Sequence, residues 1–170
     1  TLLECVMERQ VVDERPVLYV HWLALRDPRA RFSERRPQFP GQDVPGLGLA
    51  REITQMIVLA SRRIGAGGVA FTPAWYHTAH VVRERFHFVD PERQGEFEAM
   101  IRDLTPMGLE PASRAFAECR VRRNGAPVKW EPHLMVSWAR PEGEAAERAA
   151  EARERAHFTV ERAEVAGALP

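Results

Sequence analysis

The spacing of apolar and polar positions predicts two paired strands at the start of the chain. Residues 1–12 place apolar side chains in near alternation with polar residues such as Glu4 and Glu8, which is typical of a strand. A turn-forming run at 13–16 follows. Residues 17–25 are almost wholly apolar and rich in β-branched and aromatic side chains, which indicates a central strand covered on both faces. Together the two segments predict an antiparallel hairpin.

The next segment, residues 26–45, has no sustained period and carries four prolines. We predict a long loop, and loops of this length inside a compact domain are often functional. It contains five arginines and two aromatic residues: Arg26, Arg29, Arg31, Arg35, Arg36, Phe32 and Phe39. Two interpretations stay open for these side chains, a solvated loop or a mobile lid that meets an anionic cofactor or partner.

A helix and a strand follow the loop. The helix has apolar residues at the i, i+3, i+4 spacing of an amphipathic helix, and Gly65 ends it; these residues are Ile53, Met56, Ile57, Ala60 and Ile64. Residues 68–72 predict a short buried strand. Strand, loop, helix and strand in this order predict a right-handed crossover between parallel strands.

The second half of the chain is predicted to be mainly helical. Asp90 and Pro91 suit the N-cap and first position of a helix. Helices are expected at 78–85, 91–104, 111–120 and 142–156, strands at 87–89 and 134–139, and a tight turn at 124–125. The last helix has an apolar stripe made only of alanine, so we expect it to bury little and to be open to a partner.

Composition limits the classes of function. The chain is 45% hydrophobic and 28% charged with zero formal net charge, which fits a folded globular domain and argues against a dedicated nucleic-acid binder. No apolar run approaches the roughly 20 residues that span a bilayer, and no signal peptide is visible, so we expect no membrane association and a cytoplasmic location. Cys5 and Cys119 are expected to be reduced, buried thiols. No linker follows Pro45, which predicts one domain over 1–170.

The run Pro45-Gly46-Leu47-Gly48-Leu49-Ala50-Arg51 precedes the amphipathic helix. Glycines allow backbone N–H groups to point into one concavity, and the helix adds the positive end of its dipole. Such a site suits a pyrophosphate. By itself, the same pattern is also compatible with a simple turn.

The order of motifs from Leu18 to Asp90 resembles the GNAT (Gcn5-related N-acetyltransferase) superfamily. PGLGLA lies on the family's Arg/Gln-Gly-x-Gly-x-Gly/Ala loop, REITQMIVLASRRIG is similar to its central helix, and GGVAFT looks like its next strand. YHTAHVVRERFHF lies on the family's segment after that strand, with Ala79 and Phe88 in register. The resemblance implies an α/β fold, a GNAT-like mixed β-sheet flanked by helices, with a core at about 1–90 and extra C-terminal helices at about 91–170.

The resemblance also implies a chemistry. Acetyl-CoA, or another acyl-CoA, is the expected co-substrate, with its pyrophosphate held by Pro45 to Arg51, and no metal is expected. His21 lies near the place of the family's glutamate base, and Tyr76 takes the place of its asparagine, with His77 beside it. These three residues are the candidates for catalysis, and packing roles are the alternative for each.

Two departures from the family pattern concern function. Pro45 replaces an arginine or glutamine and has no side-chain donor. Arg83 stands where many members have the tyrosine that reprotonates the CoA thiolate, and arginine is not an acid at neutral pH. A third difference is His87, which stands in place of a glycine. His77 and His80 have the spacing of a metal pair, but no third ligand is evident, so we interpret them as helix-surface histidines.

Three hypotheses follow. The first is an acyl-CoA-dependent N-acyltransferase, with acetyl transfer to a small-molecule or protein amine by direct attack. The alternative is a catalytically inactive GNAT-like domain that binds acyl-CoA or a protein, as a homo-oligomer or through its C-terminal helix. In the third, the glycines form only a turn. A β-bulge that splays the strand at 17–25 from the strand at 68–72 and leaves a cleft would favour the first two.

Overall fold

The computed structural model describes residues 2–137 and 143–162. In these ranges the strands are β1 (Leu3–Val12), β2 (Arg15–Leu25), β3 (Gly68–Phe71), β4 (His87–Phe88), β5 (Val121–Arg123), β6 (Ala126–Pro127), β7 (Met135–Val136) and β8 (Phe158–Val160). The α-helices are α1 (Ala50–Arg63), α2 (Tyr76–Val82), α3 (Pro91–Leu104), α4 (Leu109–Ala117) and α5 (Glu144–Arg155). The predicted α/β class is confirmed.

The main sheet has the strand order β1-β2-β3-β7-β4. β1 and β2 are antiparallel, β2 and β3 are parallel, and β7 runs antiparallel to both of its neighbours. A smaller antiparallel sheet has the order β6-β5-β8. The parallel pairing of β2 with β3 confirms the crossover that the sequence predicts through α1.

The hairpin of β1 and β2 is also confirmed. Asp13 and Glu14 form its two-residue turn with φ of 47° and 61°, the conformation that matches the twist of the strands. The prediction that β2 is covered on both faces is wrong beyond its first residues. Val17 and Leu18 are buried, whereas His21 and Trp22 are exposed, because β3 ends at Phe71.

The predicted apolar stripe of α1 faces the core only in part, since Ile57 packs against the core cluster while other members are exposed. Met56 is 63% exposed and Ile64 47% exposed, and the buried positions are Val58 and Ser61. The hydroxyl of Ser61 donates to the carbonyl of Val58 at 2.8 Å, which satisfies it inside the core. Two faces of this helix carry apolar side chains, so the period alone could not select the buried one.

An aromatic cluster fills the core beside α2. Tyr76, Phe97, Phe116 and Trp130 have ring centroids 5.0 to 6.2 Å apart. The helix α2 begins at Tyr76 rather than at residue 78 and ends at Val82 rather than at 85. It begins early because the carbonyl of Trp75 accepts from the N–H groups of residues 78 and 79.

The bounds of α4 also differ from the prediction, which was 111–120. The helix begins at Leu109, so Pro111 lies in its first turns, where proline is tolerated. It ends at Ala117, and Cys119 adopts a φ of 57° just beyond it. Cys119 is exposed and Cys5 is half-buried, so the expectation of two buried thiols is wrong.

The alanine stripe of α5 packs inside the chain. Ala149 and Ala152 are buried, and α5 approaches α3 so closely that a Cβ on Gly95 would lie 1.9 Å from the carbonyl oxygen of Ala149. The face that the sequence left open to a partner is therefore occupied by α3. Of the predicted strand at 134–139, the described part forms β7, while residues 138–142 lie outside the described residues.

Candidate functional site

A cleft of about 580 Å³ opens where β2 and β3 separate. The two strands pair only from Val17 and Gly68 to Val20 and Phe71, and β2 then continues beyond β3 to Leu25, paired with β1 on its other side. The free half of β2 forms one wall of the cleft, and α1, α2 and the loop at 26–45 form the others. Its volume lies in the range of small-molecule sites, and most of the lining side chains are apolar.

A β-bulge lies at the point of separation. Val6 of β1 pairs with Trp22 while Met7 pairs with Val20, so His21 is the extra residue of β2. Bulges bend a strand and increase its twist, which turns the second half of β2 away from β3. His21 lines the cleft, and its Nε2 lies 2.8 Å from Oε1 of Glu8. Hydrogen bonds, from Gln10 first and then from His21, lower the pKa of the Glu8 carboxyl.

The glycine loop brings the N-terminus of α1 to the same cleft. Gly48 has a φ of 76° and open space where a Cβ would stand. The N–H of Leu47 donates to the carbonyl of Leu25 at 3.2 Å, and that of Ile53 donates to Leu49 at 3.0 Å. Between these two residues, the N–H groups of 48–52 have no acceptor within the described ranges. Main-chain donors of this kind at a helix start suit an anion.

Other residues of the predicted pyrophosphate loop have structural or peripheral positions. Pro45 is buried, and its carbonyl accepts from the N–H of Asp27 at 2.8 Å, which fixes the end of the long loop. Leu49 occupies the N-cap position without a side-chain cap. Gly46, Leu47 and Ala50 line the cleft, whereas Arg51 lies outside it in a smaller depression beside Arg85.

The long loop at 26–45 folds against the mouth of the cleft. Gly41, with a φ of 78°, lies so close to Trp75 that a Cβ would come within 2.7 Å of the indole Nε1. Arg26, Arg35 and Arg36 line the cleft. Arg36 forms an ion pair with Asp27 at 3.6 Å, and the guanidinium of Arg26 lies 5.9 Å from the ring of Trp22. The loop therefore brings three arginines to the wall of the cleft.

His77 is a histidine of α2 that lines the cleft. Its Nδ1 lies 2.8 Å from the hydroxyl of Ser113, and its ring packs on Phe39 with centroids 4.8 Å apart. Burial lowers the pKa of His77 to about 4. The imidazole is therefore neutral at pH 7, and its hydrogen bond to Ser113 engages Nδ1.

Tyr76 does not line the cleft, although the sequence makes it a catalytic candidate. It is only 2% exposed, and burial raises the pKa of its phenol well above the usual value. Its ring belongs to the aromatic cluster, which is a packing role. His80 lies one turn further along α2, and burial first, then the charges of Arg83 and Arg51, lower its pKa to about 4.

These two histidines predict a pH dependence of stability. The unfolded chain takes up protons on His77 and His80 near pH 6.5, whereas the folded chain does so only near pH 4. Because the unfolded state binds more protons between these values, we expect the free energy of unfolding to fall as the pH is lowered from 6.5 to 4.

Urea unfolding at several pH values measures this dependence. His77→Gln and His80→Gln should each flatten the decline, while His133→Gln serves as a surface control. An unchanged slope in both variants would show that neither histidine is buried as described.

Arg83 makes no contact with the cleft. Its guanidinium donates to the carbonyl of His80 at 2.7 Å and lies 3.2 Å from Nδ1 of the same residue. It closes the end of α2, which is a structural reason for arginine at this position. Apart from arginines, the titratable side chains that line the cleft within the described residues are His21, Asp43 and His77.

The sequence did not identify two contributors to the site. Ser113 lies 36 positions from His77 on α4, and nothing in its local pattern marks it as a partner of a histidine. Phe39 lies in the long loop, and its position in the sequence does not indicate its contact with the ring of His77. A hydrogen bond between the hydroxyls of Tyr19 and Thr72, at 2.9 Å, ties β2 to the end of β3 and was also not foreseen.

In the described ranges, no three His, Cys, Asp or Glu side chains form a group that could hold a metal ion. No helix in those ranges is long and apolar enough to cross a membrane. Comparison with protein-family models, curated proteins and solved structures finds no match to this chain.

Proposed function

We propose that this chain is a GNAT-like, acyl-CoA-dependent N-acyltransferase that acts by direct attack of an amine on the thioester. The observation that carries the proposal is the meeting of two features at one cleft. The N–H groups of 48–52, without acceptors among the described residues, open α1, and the parallel strands β2 and β3 separate at the bulge on His21. The first feature suits a pyrophosphate and the second leaves room for an extended acyl thioester.

The position of each group suggests its part in binding. The turn from Gly46 to Ala50 would hold the pyrophosphate through main-chain donors. This mode of binding needs no side chain at position 45, so it is compatible with Pro45. The separated half of β2 has main-chain groups beyond the reach of β3. These groups would pair with the amides of the pantetheine arm as a missing strand would, in the manner of β-augmentation.

His77 is the residue best placed for proton transfer in this proposal. The amine nitrogen forms a bond to the carbonyl carbon, and the bond from carbon to sulfur breaks when the tetrahedral intermediate collapses. Nε2 of neutral His77 accepts the proton that the nitrogen loses. The CoA thiolate leaves and takes its proton from water, because neither Tyr76 nor Arg83 can donate it here.

The alternative is acyl-CoA binding without turnover. It is favoured by the absence of a tyrosine or cysteine among the described residues that line the cleft, and by the low pKa of His77, which makes it a weak base. Binding is common to both candidates, so it is the first property to test. An assay of CoA release with a panel of primary amines then separates them.

Gly48→Trp is expected to weaken binding of acetyl-CoA by at least about a hundredfold, a loss of roughly 2.7 kcal/mol. The indole would fill the open space beside the N–H groups of the α1 terminus. Isothermal titration calorimetry with acetyl-CoA measures the loss directly.

Gly125→Trp is the matched control. Gly125 also has a positive φ, 85°, and open space around it, but it lies in the turn between β5 and β6. It should suffer the same backbone strain and keep the wild-type affinity. No binding by the wild-type chain, or equal losses in the two variants, would refute the acyl-CoA site.

A further inference from the structure

The strand β1 is an edge of the main sheet with an open side. It runs for ten residues, and β2 is its neighbour on one side only within the described residues. The N–H of Arg26 donates to the carbonyl of Leu2, so the alternation of antiparallel pairing turns the main-chain groups of the odd-numbered residues of β1 away from β2. A long edge of this kind is a template for another strand.

One face of this edge is apolar and exposed. Leu3, Met7 and Val11 lie on it at four-residue spacing and are 44%, 43% and 70% exposed. Arg9 shares this face, and its guanidinium donates to the carbonyl of Ile64 at the end of α1. The apolar face therefore lies on the side of the sheet that α1 covers.

The helix α1 continues the exposed apolar surface. Met56 and Ile64 lie on one side of the helix together with the exposed Ala60, and they are the exposed members of the predicted apolar stripe. Exposed apolar side chains that adjoin one another in this way are typical of an interaction surface. The stripe and the face of β1 are connected through the contact of Arg9 with Ile64.

The sequence of β1 is complementary to itself in an antiparallel register centred on Met7. In that register Leu3 faces the partner's Val11, Cys5 faces the partner's Arg9, and Glu4 faces the partner's Gln10. No like charges are opposed. A shift by two positions in either direction would set Glu4 against the partner's Glu8, or Glu8 against its own copy. A second copy of this chain therefore matches the edge in shape and charge.

We propose that two copies of this chain form a symmetric dimer by pairing β1 with β1 around a twofold axis at Met7. The axis is perpendicular to the sheet, because side chains that face each other must lie on the same face. The two apolar faces and the two α1 stripes then form one surface. A specific interface buries roughly 1,000 Å² or more. The pair of β1 strands needs the two α1 helices to add buried area toward this value.

Sedimentation velocity of the full chain tests the dimer. The wild-type chain should sediment as a dimer at micromolar concentration, and Met7→Lys should raise the dimer dissociation constant by at least about a hundredfold, because two like charges would meet on the axis. Thr159→Lys, at an exposed position of β8, is the control and should stay dimeric. Circular dichroism establishes that each variant is folded.

A disulfide tests the register independently. In a background with Cys119→Ser, Arg9→Cys places a thiol opposite the partner's Cys5, in a pair whose Cα atoms lie about 5.5 Å apart, which suits a disulfide. Mild oxidation should link the two chains fully, whereas Val11→Cys, opposite the partner's Leu3, should give no specific product.

A folded monomer, or a dimer that Met7→Lys leaves intact, would overturn the proposal. A dimer in which Val11→Cys forms the linkage and Arg9→Cys does not would also overturn it.

Discussion

Gly95→Ala is expected to lower the free energy of unfolding by about 3 kcal/mol or more, although the change adds only one methyl group. Its Cβ would lie 1.9 Å from the carbonyl oxygen of Ala149 and 2.7 Å from the Cβ of Ala152. Because the nearest atom belongs to the backbone of α5, the two helices must move apart. In a helix with free surroundings the same change stabilises by up to about 1 kcal/mol, so the expected sign is reversed.

Urea unfolding followed by circular dichroism measures the effect. Glu92→Ala is the control from the same helix, since Glu92 is exposed and makes only a surface ion pair with Arg148, and its effect should be within about 1 kcal/mol. A neutral or stabilising Gly95→Ala would contradict the close packing of α3 on α5.

The elements that follow from local patterns were predicted well. The helix at 91–104 is confirmed with both bounds, because Asp90 caps it by accepting from the N–H of Glu92 at 2.9 Å and Pro91 starts it. The hairpin of β1 and β2 is confirmed because its turn is short, its first strand alternates, and its second is rich in β-branched and aromatic residues. In both cases the residues that determine the element are neighbours in the sequence.

Predictions that depend on tertiary contacts were less successful. The sequence could not select the buried face of α1, since Val58 is buried outside the predicted stripe while Met56 is exposed within it. It also left the alanine stripe of α5 open to a partner, because nothing marks Gly95, 54 positions before Ala149, as the residue that admits it. Which face of a helix is buried depends on the shape of the helix or strand that packs against it.

The candidate site shows the same difference between local features, which the sequence predicts, and tertiary contacts, which it does not. The glycine loop could be located from sequence, because positive φ at Gly48 and a helix start are local features. The predicted roles of His21, Tyr76 and His77 stay predictions, but the structure separates their positions. Tyr76 and His77 are adjacent in the chain, and the rotation of about 100° between neighbouring helix positions decides that Tyr76 packs in the core while His77 reaches the cleft.

His77→Gln is expected to lower kcat for acyl transfer by about a hundredfold or more, the usual contribution of a positioned base. Glutamine keeps the polarity and approximate size but does not accept a proton. The KM for acetyl-CoA should stay close to the wild-type value, because His77 is not among the residues proposed to hold the pyrophosphate. The measurement is steady-state CoA release with the best acceptor of a panel of primary amines.

The pKa of the acceptor amine should determine how strongly the rate of acyl transfer depends on His77. An amine of low pKa holds its proton weakly in the tetrahedral intermediate, so its transfer should depend less on His77 than that of a strongly basic amine. His80→Gln is the matched control, since His80 lies on the same helix with a similarly lowered pKa but does not line the cleft. If both variants lose the same activity with every amine, His77 supports the fold alone. If neither loses activity, the proton leaves by another route, and Asp43 and His21 are the remaining candidates in the cleft wall.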